Sequence, residues 1–396
     1  MPNWRNQTDF VSTMMPAAHL ASSHQFTEMY TGLRADHATG PFAIGRSSFA
    51  YPPLCAIIMA PLAQLDVEIA LLTWQGLSLL ALAYCVFLLG KAASRIDAAS
   101  GESDNSGWYA LMFFPTLMSL WSGSGDIIFG ILPLTFGYYF AMTKKFLPAG
   151  ILFALSLGKP VCLLPGFVTA FALLAHKRPR CMAGFLIGLA VVIGANATVS
   201  WAGFTAWLNS IKPALHLSFA LESSRSVQEY VANLPQAFLL MIPEEHQSQL
   251  VSLAMLFAGF LLVLALHQIV QMQKDLRDEY QIVPLTFVTG LYLIPLVVPG
   301  VSYSDLSIMV LAGLVIASLE WRKFSDWRLK TTIRVTAIAI NAFGLLVVFQ
   351  PQYAYPLILI AILTIYFRRI VEAVHLAASE HGGVEQVSEE QEQFFD

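Results

Sequence analysis

The chain has 396 residues, of which 56% are hydrophobic and only 12% charged, with a mean hydropathy of +0.62. Soluble domains carry roughly 25% charged residues, so a large water-facing globule is excluded. The composition predicts an all-α integral membrane protein, a polytopic helical bundle of about 10–11 membrane segments. A net charge of −4 without a basic tract leaves no footing for nucleic acid.

The first 53 residues are polar, and the stretch Met1 to Phe10 lacks the apolar core of a signal peptide. Residues 54–65, between Pro53 and Pro61, are too few to span about 30 Å of hydrocarbon and predict an interfacial or re-entrant helix. Spans are expected at 69–90, 107–122 and 127–143. The apolar run 147–175 is interrupted by Gly158-Lys159-Pro160. Proline removes a helix donor and a lysine needs a polar exit, so this run predicts two short helices forming a hairpin. A span at 181–203 carries Gly184 and Gly188, the spacing of a close helix-packing face. A large loop, 204–249, separates it from spans at 250–271, 281–299, 303–320, 333–349 and 353–370. From Glu372 onward the sequence has seven acidic residues and no Lys or Arg, the pattern of a solvated, disordered tail. Residues 1–371 therefore read as one integral domain and 372–396 as an acidic tail, with no tandem repeat.

Loop charges orient this bundle. With 91–106, 144–145, 176–180, 272–280, 321–334 and 368–396 on one side, only Arg5, Arg34, Arg46, Lys159, Lys212 and Arg225 of the 22 basic residues fall elsewhere. The positive-inside rule makes the first side cytoplasmic, with the C-terminus. Residues 1–53 and the 204–249 loop then face outward. The expected location is the cell (inner) membrane, with the working face away from the cytoplasm.

Several chemistries are absent from the sequence. Gly158-Lys159 is followed by proline, so no phosphate-cradling GxxxxGK[ST] loop exists. Cys55, Cys85, Cys162 and Cys181 form no CxxC pair and read as inert buried thiols. The outward His19, His24, His37, His216 and His246 are irregularly spaced, as surface histidines are. Neither a metal nor a cofactor is implied. What remains are ionisable groups near the outer rim, because a charge at the bilayer centre costs at least about 2.5–3.5 kcal/mol. Asp9 precedes Phe10 in the polar opening, Asp126 follows Ser124-Gly125, Lys159 tips the broken hairpin, and Asp305 follows Tyr303-Ser304. For Asp126 and Asp305 a helix-N-terminal role is an equally open reading, and Lys159 can be read as snorkelling to water.

The order Asp9-Phe10, Ala17-Ala18-His19-Leu20, Met29-Tyr30, Tyr51-Pro52-Pro53, Ala60-Pro61-Leu62 and Trp74 resembles the N-terminal region of glycosyltransferase family 87. Similarity continues through Phe114-Pro115, Gly125-Asp126, Ala149-Gly150, Lys159-Pro160, Trp207-Leu208, Ser226-Val227 and Tyr303-Ser304-Asp305-Leu306. The resemblance implies the C-type architecture and a polyprenyl-phosphate sugar as donor, as in phosphatidylinositol-mannoside mannosyltransferases. It implies inverting transfer of a hexose, mannose among the candidates, to an external lipid or glycan acceptor. A carboxylate of the first external loop would be the general base, and Asp9 occupies the matching position. The family usually places a span ahead of the Asp-Phe segment, whereas only eight residues precede Asp9 here, so the expectation is either a native start further upstream or a shortened member of the family. It also often has Gly-Gln where this chain has Gly125-Asp126. For the donor phosphate the expected cation is Lys159, followed by Arg46 and Arg225; Asp126, Tyr51 and Asp305 are further site candidates. The expected partners are thus the lipid-linked donor, the acceptor and the bilayer itself.

Two other readings stand beside this one. A glycan ligase or polymerase would share the architecture. A secondary transporter or lipid-linked-glycan flippase would do no chemistry, but should show paired interrupted helices in two related halves. Only one interruption, at 158–160, is visible, which favours the enzyme.

Overall fold

The computed structural model describes residues 9–30, 49–93, 113–215, 244–272, 279–298 and 304–318. Among these residues there is no strand, and the expected all-α membrane class holds. A π-helical turn, Phe10–Met14, runs into helix α1 (Met15–Ser22). Helix α2 (Pro53–Met59) and a 3₁₀ turn (Ala60–Gln64) fill the expected short segment before α3 (Val67–Ala93). Then come α4 (Phe114–Ser122), a π-helical turn (Asp126–Ile131) and α5 (Leu132–Met142). The hairpin is α6 (Phe146–Leu155) and α7 (Leu163–Ala175), followed by α8 (Pro179–Val199) and α9 (Trp201–Leu215). The later elements are α10 (Glu244–Met272), α11 (Glu279–Val297), a 3₁₀ turn (Ser304–Met309) and α12 (Val310–Ser318).

Two of these helices, Val67–Ala92 and Pro179–Val199, are long and apolar enough to cross a membrane. Their outer faces carry large apolar side chains such as Leu72 and Leu80 on α3 and Leu186 and Val191 on α8. Water would penalise such a patch, whereas hydrocarbon does not. The sequence suggests separate spans at 107–122 and 127–143. Instead, α4 meets the segment Asp126–Met142 at 116°, a broken span or re-entrant loop. Gly123 makes the bend, at φ +67°, where other residues are strained. It also has no room for a side chain, since a Cβ there would lie 2.7 Å from that of Phe10. The remaining apolar helices are shorter than a span, Ile282–Val297 and Asp305–Val315 among them. The expected spans at 333–349 and 353–370, and the acidic tail, lie outside the described residues.

The hairpin forms as its sequence dictates. Lys159 precedes Pro160, which disfavours helical dihedrals at the lysine, and it is extended at φ −124°, ψ 98°. A 3₁₀ turn flanks it on each side, Ser156–Gly158 and Pro160–Cys162. The Ser156 hydroxyl serves the freed carbonyls, donating to Phe153 at 2.6 Å and Cys162 at 3.0 Å. Helices α6 and α8 pack through small residues. A Cβ on Gly150 would strike the Cys181 carbonyl oxygen, and one on Gly184 would strike that of Leu147. This is the close approach that the Gly184/Gly188 spacing predicts, directed within the chain.

Three apolar cores result among the described residues; the smallest ties α10 to α7 and α11 through Ala258, Val168 and Ile282, and the other two frame the site. One gathers α4 to α8, α11 and the 304–315 segment around Tyr138, Phe153 and Phe287. The other binds the N-terminal segment to α2, the start of α3 and α9 through Phe10, Tyr51, Trp74, Phe129 and Trp207. The candidate site lies where they meet.

Candidate functional site

Asp126 opens the π-helical turn directly after the bend and is 2% exposed. Its Oδ1 lies 2.6 Å from the Lys159 ammonium. The same ammonium lies 2.6 Å from Asp305 Oδ1. One cation therefore joins three segments that are distant in sequence: the bend, the hairpin break and the 3₁₀ turn before α12. Neither aspartate is simply an exposed helix cap. A buried charge requires pairing and hydrogen bonds, and both are supplied here.

The other carboxylate oxygen of Asp126 accepts from hydroxyls. Ser124 donates to Oδ2 at 2.9 Å, with Ser119 and Ser307 each at 3.4 Å. Ser119 and Ser124 are themselves 2.6 Å apart. Sequence reading did not find these three serines. Ser119 sits on α4 and Ser307 on a turn 181 residues from Asp126, so no short motif could have paired them; Ser124, two residues before Asp126, was the one accessible signal.

Tyr51 closes one side of the cluster and is itself buried. Its hydroxyl accepts from the Gly125 N–H at 3.0 Å and donates to Asp126 Oδ1 at 3.4 Å. Its ring faces the Lys159 ammonium, 5.1 Å from the centroid, within cation–π range. Phe49 and Phe129 hold the ring at centroid distances of 5.4 and 5.8 Å. Tyr30 donates to the Tyr51 carbonyl at 2.9 Å, and the Trp207 indole donates to that of Ala50 at 3.2 Å. Gly125 must lack a side chain, because a Cβ would come within 2.8 Å of both Tyr51 and Phe129.

Asp9 approaches this cluster from the N-terminal segment. Phe10, fully buried, anchors it against Trp74 (6.3 Å between rings) and under Gly123. Trp74 in turn packs on Phe129 at 5.7 Å, so an aromatic row links the Asp9 segment to Tyr51. The Asp9 carboxylate accepts a hydrogen bond from Thr13, and its charge senses Lys159, Asp126 and Asp305. Asp9 lies outside the membrane-spanning helices. Burial pushes its carboxyl up to about 6, with Lys159 opposing the rise and the two neighbouring aspartates adding to it.

The structure thus brings together Asp9, Tyr51, Asp126, Lys159 and Asp305. Arg46 and Arg225 lie outside the described residues. Among the described residues no group of three or more His, Cys, Asp or Glu side chains is arranged to hold a metal ion.

An apolar groove adjoins the cluster. Its cavity of about 300 Å³ is walled by Ile58, Phe129, Pro133, Leu155 and Gly158, the last adjacent to Lys159. Asn196, from α8, reaches its edge and accepts the Leu54 N–H at 2.8 Å, capping α2 from a neighbouring helix.

The family model described as glycosyltransferase family 87 matches residues 49–299, more than half of the chain. It covers Tyr51, Asp126 and Lys159 and leaves Asp9 and Asp305 outside. No curated protein and no solved structure matches the chain.

Proposed function

We propose a donor, an acceptor and a catalytic base for a chain that belongs to glycosyltransferase family 87 and is therefore a membrane glycosyltransferase. The donor is a polyprenyl-phosphate hexose, mannose first among the candidates. The acceptor is the hydroxyl of a lipid or glycan on the non-cytoplasmic face of the cell membrane. Asp9 is the base.

The observation that carries this reading is the position of Asp9. Phe10, fully buried, anchors its segment against Trp74 and Gly123. The Asp9 charge senses the buried Lys159–Asp126–Asp305 cluster, Thr13 donates to it, and burial pushes its carboxyl up to about 6. A base with affinity near the working pH is ionised yet still attracts a proton. In the reaction the acceptor oxygen attacks the anomeric carbon as the bond from that carbon to the phosphate oxygen breaks. Attack opposite the leaving group inverts the centre. Asp9 takes the hydroxyl proton, and polyprenyl phosphate departs with the bonding electrons. Such a base contributes typically about 10²–10⁴-fold.

The departing phosphate requires positive charge. Lys159 has two of its three N–H hydrogens facing carboxylates, which moves that duty onto Arg46 and Arg225. The groove beside Gly158 and Phe129 suits the first isoprene units of a lipid chain, and its apolar lining supports a lipid-linked donor over a soluble nucleotide sugar.

The test is transfer of radiolabel by the purified chain in lipid vesicles, from polyprenyl-phosphate mannose, glucose and galactose in turn. One hexose should label a lipid or glycan product with the wild type and not with Asp9→Asn. Transfer from a nucleotide sugar but from none of the lipid-linked sugars would contradict the donor assignment.

A further inference from the structure

Folded chains pair their buried polar groups, because an unmatched donor in an apolar interior is costly. Among the described residues two side-chain atoms break that rule. The Trp74 Nε1 and the Ser78 Oγ are buried, their residues 3% and 1% exposed, and neither has a hydrogen-bond partner on the protein. They stand one turn apart on α3, and side chains four residues apart on a helix are neighbours, with Cβ atoms about 5–6 Å apart. Two exceptions in one place point to one cause.

Both residues forgo bonds that their counterparts make. Thr135, Thr169 and Thr286 are also buried in helices, and each donates to the carbonyl four residues back, at 2.8, 2.8 and 2.7 Å. The Trp74 carbonyl stands in the same relation to Ser78, yet that bond is not made. Trp207 gives its indole N–H to the Ala50 carbonyl. The Trp74 ring is instead held by Phe10 and Phe129, at 6.3 and 5.7 Å between centroids, and its N–H meets no acceptor. The pair also marks a boundary. Trp74 is the last α3 residue of the core around Phe10 and Tyr51, and Leu82 is the first of the core around Tyr138 and Phe287. Ser78 lies between them, on a helix that packs against the Asp126–Ile131 turn and α12.

We propose that Trp74 and Ser78 form a binding site for one neutral oxygen acceptor, a buried water shared between the indole N–H and the hydroxyl at the seam of the two cores. The chemistry of the pair selects this ligand. An indole only donates, so the shared partner must offer it a lone pair, whereas the serine hydroxyl can donate or accept. The pair carries no positive charge, so an anion here would be buried without compensation. Ser78 is the smallest buried side chain of α3 between Leu71 and Leu82, which suits a single oxygen better than a larger group. Waters of this kind satisfy buried polar groups that the protein leaves unmatched. The seam then carries a polar layer on both sides: serine hydroxyls meet Asp126 directly on one, and water serves α3 on the other. The site stands whether or not Asp9 is the base.

The experiment is an experimental density map of the full chain in lipid nanodiscs, without added substrate, at a resolution that shows ordered waters. One isolated peak is expected about 2.7–3.2 Å from both the Trp74 Nε1 and the Ser78 Oγ. In Ser78→Val, whose added methyl groups fill that place, the peak should be lost while the Trp74 ring keeps its position. Ordered side chains with no peak between them overturn the proposal, as does a Trp74 N–H paired with a protein group or density too extended for a water. The same water is read in solution from the chain labelled with indole-¹⁵N tryptophan, the Trp74 signal being identified by its loss in Trp74→Phe or by replacing the other tryptophans one at a time. Its indole proton should show a through-space cross-peak to water in the wild type and lose it in Ser78→Val; no cross-peak in the wild type overturns the proposal. Should Ser78→Val fail to fold, the wild-type map decides alone, by the presence or absence of the peak.

Discussion

Asp126 and Asp9 belong to one electrostatic cluster and live opposite lives in it. Asp126 is buried, ion-paired at 2.6 Å and bonded through three serine hydroxyls and a tyrosine. Asp9 is only partly buried, just ahead of the short π-helical turn, and among the described residues one hydroxyl partner steadies it. The first has its acceptor capacity filled; the second has a single hydroxyl partner among the described residues, as the proposed base would need. Under the proposed function, saturation separates a carboxylate that holds the fold from one left to do chemistry, and the two still act on each other electrostatically.

The contrast can be broken most sharply at Asp9. Asp9→Asn should lower transfer by at least about 10²-fold while membrane insertion and the helical circular-dichroism spectrum are kept. Transfer within a few-fold of wild type would place the proton acceptor elsewhere. At Asp126 the opposite balance is expected. Asp126→Ala removes one of the two carboxylates that hold Lys159, and breaking a buried pair costs about 3–5 kcal/mol. That loss should appear in denaturant unfolding in detergent, and a neutral result would mean the triad carries little structural weight.

Tyr51→Phe tests the seam between the two. It leaves the Gly125 N–H without its acceptor, and an unsatisfied buried donor costs about 1–3 kcal/mol, again read by unfolding. The smallest effect is expected from the groove. Ile58→Trp should raise KM for the lipid-linked donor several-fold with little change in kcat, because it narrows a wall away from the reacting atoms. An equal fall in kcat would place the groove nearer the chemistry.

pH sharpens the same comparison. As a base, Asp9 must be ionised, so activity should fall on acidification through about 6. Stability runs the other way. The folded carboxyl binds its proton more tightly than the unfolded one at 3.8, so this contribution is fully present below 3.8 and lost as pH rises through about 6. Asp9→Asn should accordingly unfold no more easily than wild type at neutral pH, and should flatten the pH dependence of unfolding across that window.

Much of this was legible in the sequence, and the illegible part has a physical cause. Pro160 after Lys159 announces the break, because proline acts on its immediate neighbours. Gly184 and Gly188 announce close packing for the same local reason. Asp126, Lys159 and Asp305 stand out singly as charges in apolar surroundings, but nothing local says that one lysine joins both aspartates. That pairing depends on the 116° bend at Gly123–Gly125, and the sequence there reads equally well as a turn between two spans. Ser119 and Ser307 were invisible, since a serine near a bilayer rim carries no signal until its partner is known. The family match adds the class of reaction but begins at residue 49, so Asp9 stands on its setting in the fold.

The most direct test of that setting is the pH–rate profile of sugar transfer from the polyprenyl-phosphate hexose that the chain accepts, for wild type and Asp9→Asn. The account predicts an acidic limb in the wild type with its midpoint near the Asp9 value of about 6, and a residual rate in the variant that lacks this limb. A wild-type rate that stays level well below that value, or an identical limb in Asp9→Asn, would contradict it.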